Sequence, residues 1–177
     1  GLTLVSEAIL MAQRDSARTE GVHLGQARSI EIPLDADAGW QRLSYRGIAP
    51  NNIEFAAAGL RIQVDQSAAP LVYPLASPLT VTHLTVRGRL DGDLRLGSGR
   101  QGEKGFDDYI FRAGLVLKGD RRLGGLQRLF APDWIRRLHA LAPPGDGISM
   151  VRFFNVGSDK HRIGDRRVHP LSDLLSE

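Results

Sequence analysis

The chain has 177 residues, of which 42% are apolar, 6% aromatic and 24% charged, with a mean hydropathy of −0.19. This balance excludes a disordered chain, a collagen-like chain and a membrane bundle, and the length suits a single domain with a hydrophobic core. The net charge of +3 rests on 23 basic against 20 acidic residues, with the arginines scattered among apolar positions rather than gathered in a phosphate-tracking stripe, so nucleic acid is not an expected partner.

The first segment, LTLVSEAILMAQ, sets Leu2, Val5, Ile9 and Ala12 at helical spacing with Ser6 and Glu7 off that face. This predicts a short amphipathic helix that packs on the body and offers a surface for a protein partner. The polar tract 14–21 ends in Gly21 and reads as a linker, which divides the chain into residues 1–21 and a β domain over 22–177. The opening residues lack the basic region and small-residue cleavage site of a signal peptide. With an exported protein in view, the expectation is a leader removed upstream of Gly1.

From residue 22 the texture changes to short apolar runs separated by turn residues. Ile30, Ile32 and Leu34 alternate with polar positions and predict a strand, with Pro33 placing it at an edge. Trp40–Tyr45 is a second candidate, and Ile53-Glu54-Phe55 opens another. Leu60, Ile62 and Val64, alternating with Arg61 and Gln63, make the clearest strand of this half. After prolines 70, 74 and 78, the β-branched run LTVTHLTVRGRL (79–90) predicts a long strand, broken in its alternation at His83. The Gly- and charge-rich tract 91–105 reads as a loop, and 109–118 returns to strand character. Residues 126–141 are helical, with Pro132 and Asp133 at a helix start, Trp134, Ile135 and Leu138 on one face, and Pro143-Pro144-Gly145 as the stop. A further strand covers 148–156, and the remainder is a polar loop with a short helix at 170–176. With no closing strand at its end, the chain reads as part of a longer one.

Short strands at intervals of 8–12 residues, with no helix between most of them, predict a mainly β fold. The expected architecture is an antiparallel β-sandwich or jelly roll with one or two peripheral helices. The expected core is Leu60, Ile62, Val64, Val81, Leu84, Val86, Ile110, Leu115, Leu117, Ile148, Val151 and Phe153. No apolar run is long enough to span a membrane.

The chain has no cysteine, which removes disulfides, thiolate nucleophiles and Cys-zinc sites. No Walker loop, Rossmann fingerprint, HExxH or nucleophile elbow occurs, and no cofactor is expected. Asp35, Asp37 and Gly39 lack the later bidentate glutamate of a calcium loop and read as a turn, as does Asp91-Gly92-Asp93. His161 and His169 lie in a polar stretch without the register of a metal site, and His83 and His139 read as packing or surface residues. Trp40 and Tyr45 are the aromatic pair best suited to a stacking platform, against a prevailing role in the core. Asp107, Asp108 and Tyr109 enter a strand behind the Gly-rich loop, with Arg112 following. Adjacent strand residues point to opposite faces, so the two aspartates do not naturally converge on one ligand.

The order FDDYIFRAGLVL and then MVRFFNVGSDKHR resembles a family of uncharacterised bacterial exported proteins with a galactose-binding-domain-like β-sandwich. The matching residues are Asp107, Asp108, Tyr109 and Arg112, then Arg152, Asn155 and Val156, within a likeness that covers roughly residues 40–165. The run LTVTHLTVRGRL departs from the family in having no tryptophan. The resemblance implies a sandwich fold and a periplasmic or cell-envelope location, with no activity to carry over; a cytoplasmic site is the other option. The residues then suggest non-catalytic binding of a polar ligand such as a glycan by Asp107, Asp108, Tyr109, Arg112 and Asn155, with hydroxyls meeting carboxylate, guanidinium and amide. The alternatives are a hydrolase using Asp108 with Asp107 or Asp159, and a structural or assembly module of the envelope.

Overall fold

The computed structural model describes residues 7–12, 29–92, 109, 111–157, 161, 163–166, 168–169 and 172–176, the short stretches 7–12, 168–169 and 172–176 by their backbone. Strands dominate, as the alternation predicts. The spine is an antiparallel pair, β6 (Phe111–Gly119) against β7 (Gly147–Val156), with a shift of register between Leu117 and Lys118. Gly119 and Gly147 are paired where the ladder ends. A Cβ at Gly119 would lie 2.5 Å from Ser149 Cβ, and one at Gly147 would lie 2.5 Å from the Arg121 carbonyl oxygen. Only glycine lets the backbones cross there.

Five further strands extend this pair into a seven-stranded sheet. On one side β1 (Glu7–Ala12) lies between β6 and β5 (Pro70–Tyr73), parallel to both, and β2 (Gln41–Arg42) lines the far edge of β5 antiparallel. On the other side β9 (Ser172–Ser176) runs parallel to β7, and β8 (Val168–His169) runs antiparallel to β9. The pairing is therefore mixed rather than antiparallel throughout. Parallel neighbours need long connections, and residues 13–69, 13–110 and 157–171 separate the pairs β1–β5, β1–β6 and β7–β9 in sequence.

Two terminal expectations are corrected. Residues 7–12 are a strand inside the sheet, not part of a peripheral helix. A strand flanked on both sides carries an unbroken apolar run such as Ala8–Ala12, and such a run has no period to separate it from a helix. Residues 172–176 are likewise a strand and not a helix. Both segments take their form from a partner strand distant in sequence, which local propensity does not encode.

Elsewhere the prolines and spacing decide. Residues 29–34 form no strand. Residues 79–90 run across a face of the sheet without forming a strand, because Val81 and Leu84, three apart, both pack on the sheet, which a period of two forbids. The hairpin β3 (Asn52–Ala56) and β4 (Gly59–Gln63) stands as a separate two-stranded sheet. Gly59, at φ 120°, supplies the left-handed backbone its turn requires.

The predicted helix over 126–141 is two helices, α1 (Gly125–Phe130) and α2 (Asp133–Ala140). Pro132 forces Ala131 into an extended conformation, ψ 140°, and so breaks the helix. Helix α2 buries Ile135 and Leu138. Leu138 joins Leu43, Val72, Val116, Ile148, Val151 and Phe153 in the main core, with Trp134, Leu141 and Ala142 packed against it. The opposite face of the sheet carries a smaller cluster of Leu115 and Leu117 with Val81, Leu84 and Met150. Of the expected core, Val64, Leu115, Leu117, Ile148, Val151 and Phe153 are buried, Leu60, Ile62, Val81 and Leu84 are half-buried, and Val86 is exposed. Ile110 lies outside the described residues.

Candidate functional site

The main core ends in charge. Arg112, two positions before Gly114 and four before Val116, shares their face of β6, the face on which Val116 meets Val151 and Gly114 meets Phe153. In backbone register Arg112 pairs with Asn155 on β7 and with Glu7 on β1. The guanidinium carbon lies 4.9 Å from the centroid of the Tyr109 ring and 5.6 Å from that of Phe153. Arg112 is only 5% exposed and Tyr109 9%.

A guanidinium removed from water loses hydration that a cation–π contact of this kind only partly replaces. Flat and weakly hydrated, it is nevertheless the cation best suited to lie against two rings. Beside it, Asn155 Oδ1 is sealed from solvent with no hydrogen-bond partner among the described residues. A buried acceptor in that condition carries a penalty of about 1–3 kcal/mol unless a donor reaches it. Chemically, the Asn155 oxygen is an acceptor for any hydroxyl or N–H donor that reaches it.

The structure thus brings Tyr109, Arg112 and Asn155 together, although they are spread over 47 positions of sequence. Asp107, Asp108 and Asp159 lie outside the described residues, and with them both carboxylate pairs of the hydrolase reading. Trp40 and Tyr45 do not form a common platform. Trp40 packs on Tyr73 and Phe55 at 5.2 and 6.4 Å between centroids, and Tyr45 packs edge-on against Trp134 at 5.5 Å. The Trp40 indole N–H donates to the Pro33 carbonyl at 2.7 Å, fixing the ring from its polar side.

The remaining acids and histidines are local. Asp35 accepts from the Asp37 backbone N–H at 3.0 Å and caps a single 3-10 turn, Ala36–Ala38, which Gly39 ends at φ 98°. Asp91 pairs with Arg89 at 2.8 Å in full exposure. His83 lies 3.3 Å from the Thr82 hydroxyl, also exposed. Among the described residues no three of His, Asp and Glu come together in a way that would hold a metal ion, and no helix is long and apolar enough to cross a membrane.

One feature escaped the reading of the sequence. Helix α1 turns Leu126, Leu129 and Phe130 into solvent, at 74, 71 and 84% exposure. Its amphipathic spacing predicts burial of that stripe, and only the break at Pro132 shows why the stripe misses the sheet. Comparison of the chain with protein-family models, with curated proteins and with solved structures finds no match.

Proposed function

We propose that this chain is a non-catalytic binding module for a polar ligand such as a glycan, read at the Arg112 end of the sheet. The observation that carries the reading is the buried Asn155 Oδ1, an acceptor with no partner among the described residues, in register with Arg112, whose guanidinium lies over the Tyr109 ring. A ligand hydroxyl donating to Asn155 would relieve that penalty. Asp107 and Asp108, which immediately precede Tyr109 in sequence, belong to the same proposal as further hydroxyl partners.

The proposal keeps the seven-stranded sheet as one layer of a β-sandwich or jelly roll of the galactose-binding type, and a location in the periplasm or cell envelope. The predominance of strands and the separate hairpin β3–β4 support the layered fold. The experiment is a glycan array on the purified chain, repeated with Asn155→Leu and followed by calorimetry on each hit. Binding by the native chain that Asn155→Leu abolishes, with melting preserved, supports the reading. Binding unaffected by that substitution refutes it.

The near-complete burial of Arg112 favours a second reading, in which Arg112 is a structural keystone of an assembly module. That reading expects no polar ligand from the array and a large loss of melting temperature on changing Arg112.

A further inference from the structure

We propose that helix α1 and its arginine flank dock this protein onto an anionic lipid surface. The proposal is independent of the Arg112 site. Leu126, Leu129 and Phe130 stand at i, i+3 and i+4, so they form one stripe on the helix. All three are more than two-thirds exposed. Scattered exposed apolar residues are ordinary, but three large ones on adjoining positions mark a contact surface.

Charge says what covers it. Residues 118–140 hold six basic residues, Lys118, Arg121, Arg122, Arg128, Arg136 and Arg137, against Asp120 and Asp133, a net of +4. The whole chain carries +3, so everything outside this stretch nets −1. Lys118 is taken by Asp146 at 2.8 Å and Arg136 by Asp133. Arg121, Arg128 and Arg137 are exposed and make no ion pair among the described residues. Arg128 stands on α1 itself, and Arg136 donates to its carbonyl at 3.3 Å, which holds the cationic side of α2 against α1.

Large apolar side chains exposed on a short helix, with exposed arginines on it and close to it in sequence, are the composition of an interfacial element. The leucines and phenylalanine enter the headgroup–acyl boundary while guanidinium forks bind lipid phosphates. Gly124 at the start of α1 and Pro132 after it limit the helix to about a turn and a half, a length that suits shallow entry into a lipid surface better than seating along a preformed protein groove.

The test is sedimentation of the full chain with vesicles of phosphatidylcholine alone and with an equimolar mixture of phosphatidylcholine and phosphatidylglycerol, at low and high salt. Three unpaired arginines near an anionic surface predict binding to the mixture about a hundredfold tighter than to phosphatidylcholine, with most of that preference lost in high salt. Replacing Leu126, Leu129 and Phe130 together by Ser should weaken binding at least about tenfold, with melting unchanged. Replacing Arg121, Arg128 and Arg137 by Gln should remove the preference for the anionic vesicle. Three results overturn the proposal: no binding to either vesicle, equal binding to both, or binding that survives the Ser substitutions. A concentration-dependent dimer that those substitutions dissolve also overturns it, since the stripe would then be covered by a second copy of this chain.

Discussion

The Arg112 end of the sheet and the α1 turn break the same rule in opposite directions. At Arg112 a permanent cation lies inside, between the rings of Tyr109 and Phe153. At α1 three large apolar side chains lie outside. By contrast, α2 and the β6–β7 ladder follow the rule, with Leu138, Val116 and Val151 buried in one cluster. Exposed apolar residues taken singly are normal, whereas a buried charge or an apolar cluster in water carries information. Each exception costs stability that the ordinary core must offset, so each is where a function is to be sought.

The largest effect expected is at Arg112. Arg112→Gln removes a buried cation that lies against two rings, and a change at a buried charged group falls in the upper range of single substitutions, about 3 kcal/mol. Urea unfolding measures it. Glu7→Gln, alone and combined with Arg112→Gln, completes a double-mutant cycle. A coupling of about 1 kcal/mol or more identifies Glu7 as the counter-charge, and strict additivity moves that role elsewhere.

The next largest contrast is between two leucines of neighbouring helices. Leu138→Ala empties space among Val72, Val116 and Val151 and should cost about 2–5 kcal/mol. Leu129→Ala should stay within about 0.5 kcal/mol, the usual range for a surface position. Comparable losses at both would mean that α1 is covered in solution, and the opposition between the two helices would disappear.

This contrast also marks how far the sequence can be read. Strands β4, β6 and β7 were legible, because alternation or an apolar run ended by Gly119 and Gly147 marks them without reference to any partner. So was α2, from Asp133 at its start and one apolar stripe. Strand β1 was not, because a strand with neighbours on both edges needs no alternation. Residues 79–90 misled for the converse reason: β-branched content raises strand propensity but does not provide an edge to pair with. Tyr109 and Arg112 stood out as types near one another. The expectation that segments 107–113 and 152–156 are neighbours, with Asn155 beside Arg112, holds in the register Arg112↔Asn155, a pairing that a one-residue slip would have destroyed. The exposure of α1 had no signal at all, since an amphipathic stripe looks the same whether or not a sheet lies beneath it.

A smaller effect of opposite sign is expected at Asn155. Replacing it by Leu removes a sealed acceptor that lacks a donor while keeping its shape, and the stability should rise by about 1 kcal/mol. A gain in stability coupled to loss of a ligand is the usual signature of a residue retained for binding. If stability instead falls by that amount, Oδ1 has a donor in solution, and Asn155 shares the structural role of Arg112.

The smallest effect lies at His139 on the last turn of α2, close to Arg128 of α1. Burial lowers its pKa below the ordinary value of 6.5, and the nearby Arg128 guanidinium lowers it further. A histidine whose folded pKa is depressed prefers the neutral ring in the native state. The unfolded chain therefore binds the extra proton first as pH falls. The contribution of His139 is fully present above 6.5, declines as pH drops from 6.5 toward the lowered folded value, and stays lost below it. Melting temperature followed across that window should show a shallow fall on the acid side that His139→Gln flattens. Arg128→Gln should leave the greater part of the slope in place, because desolvation is the larger cause. If Arg128→Gln removes the whole slope, His139 is more hydrated than its place beside Leu138 implies, and α1 acts on α2 through charge rather than through cover.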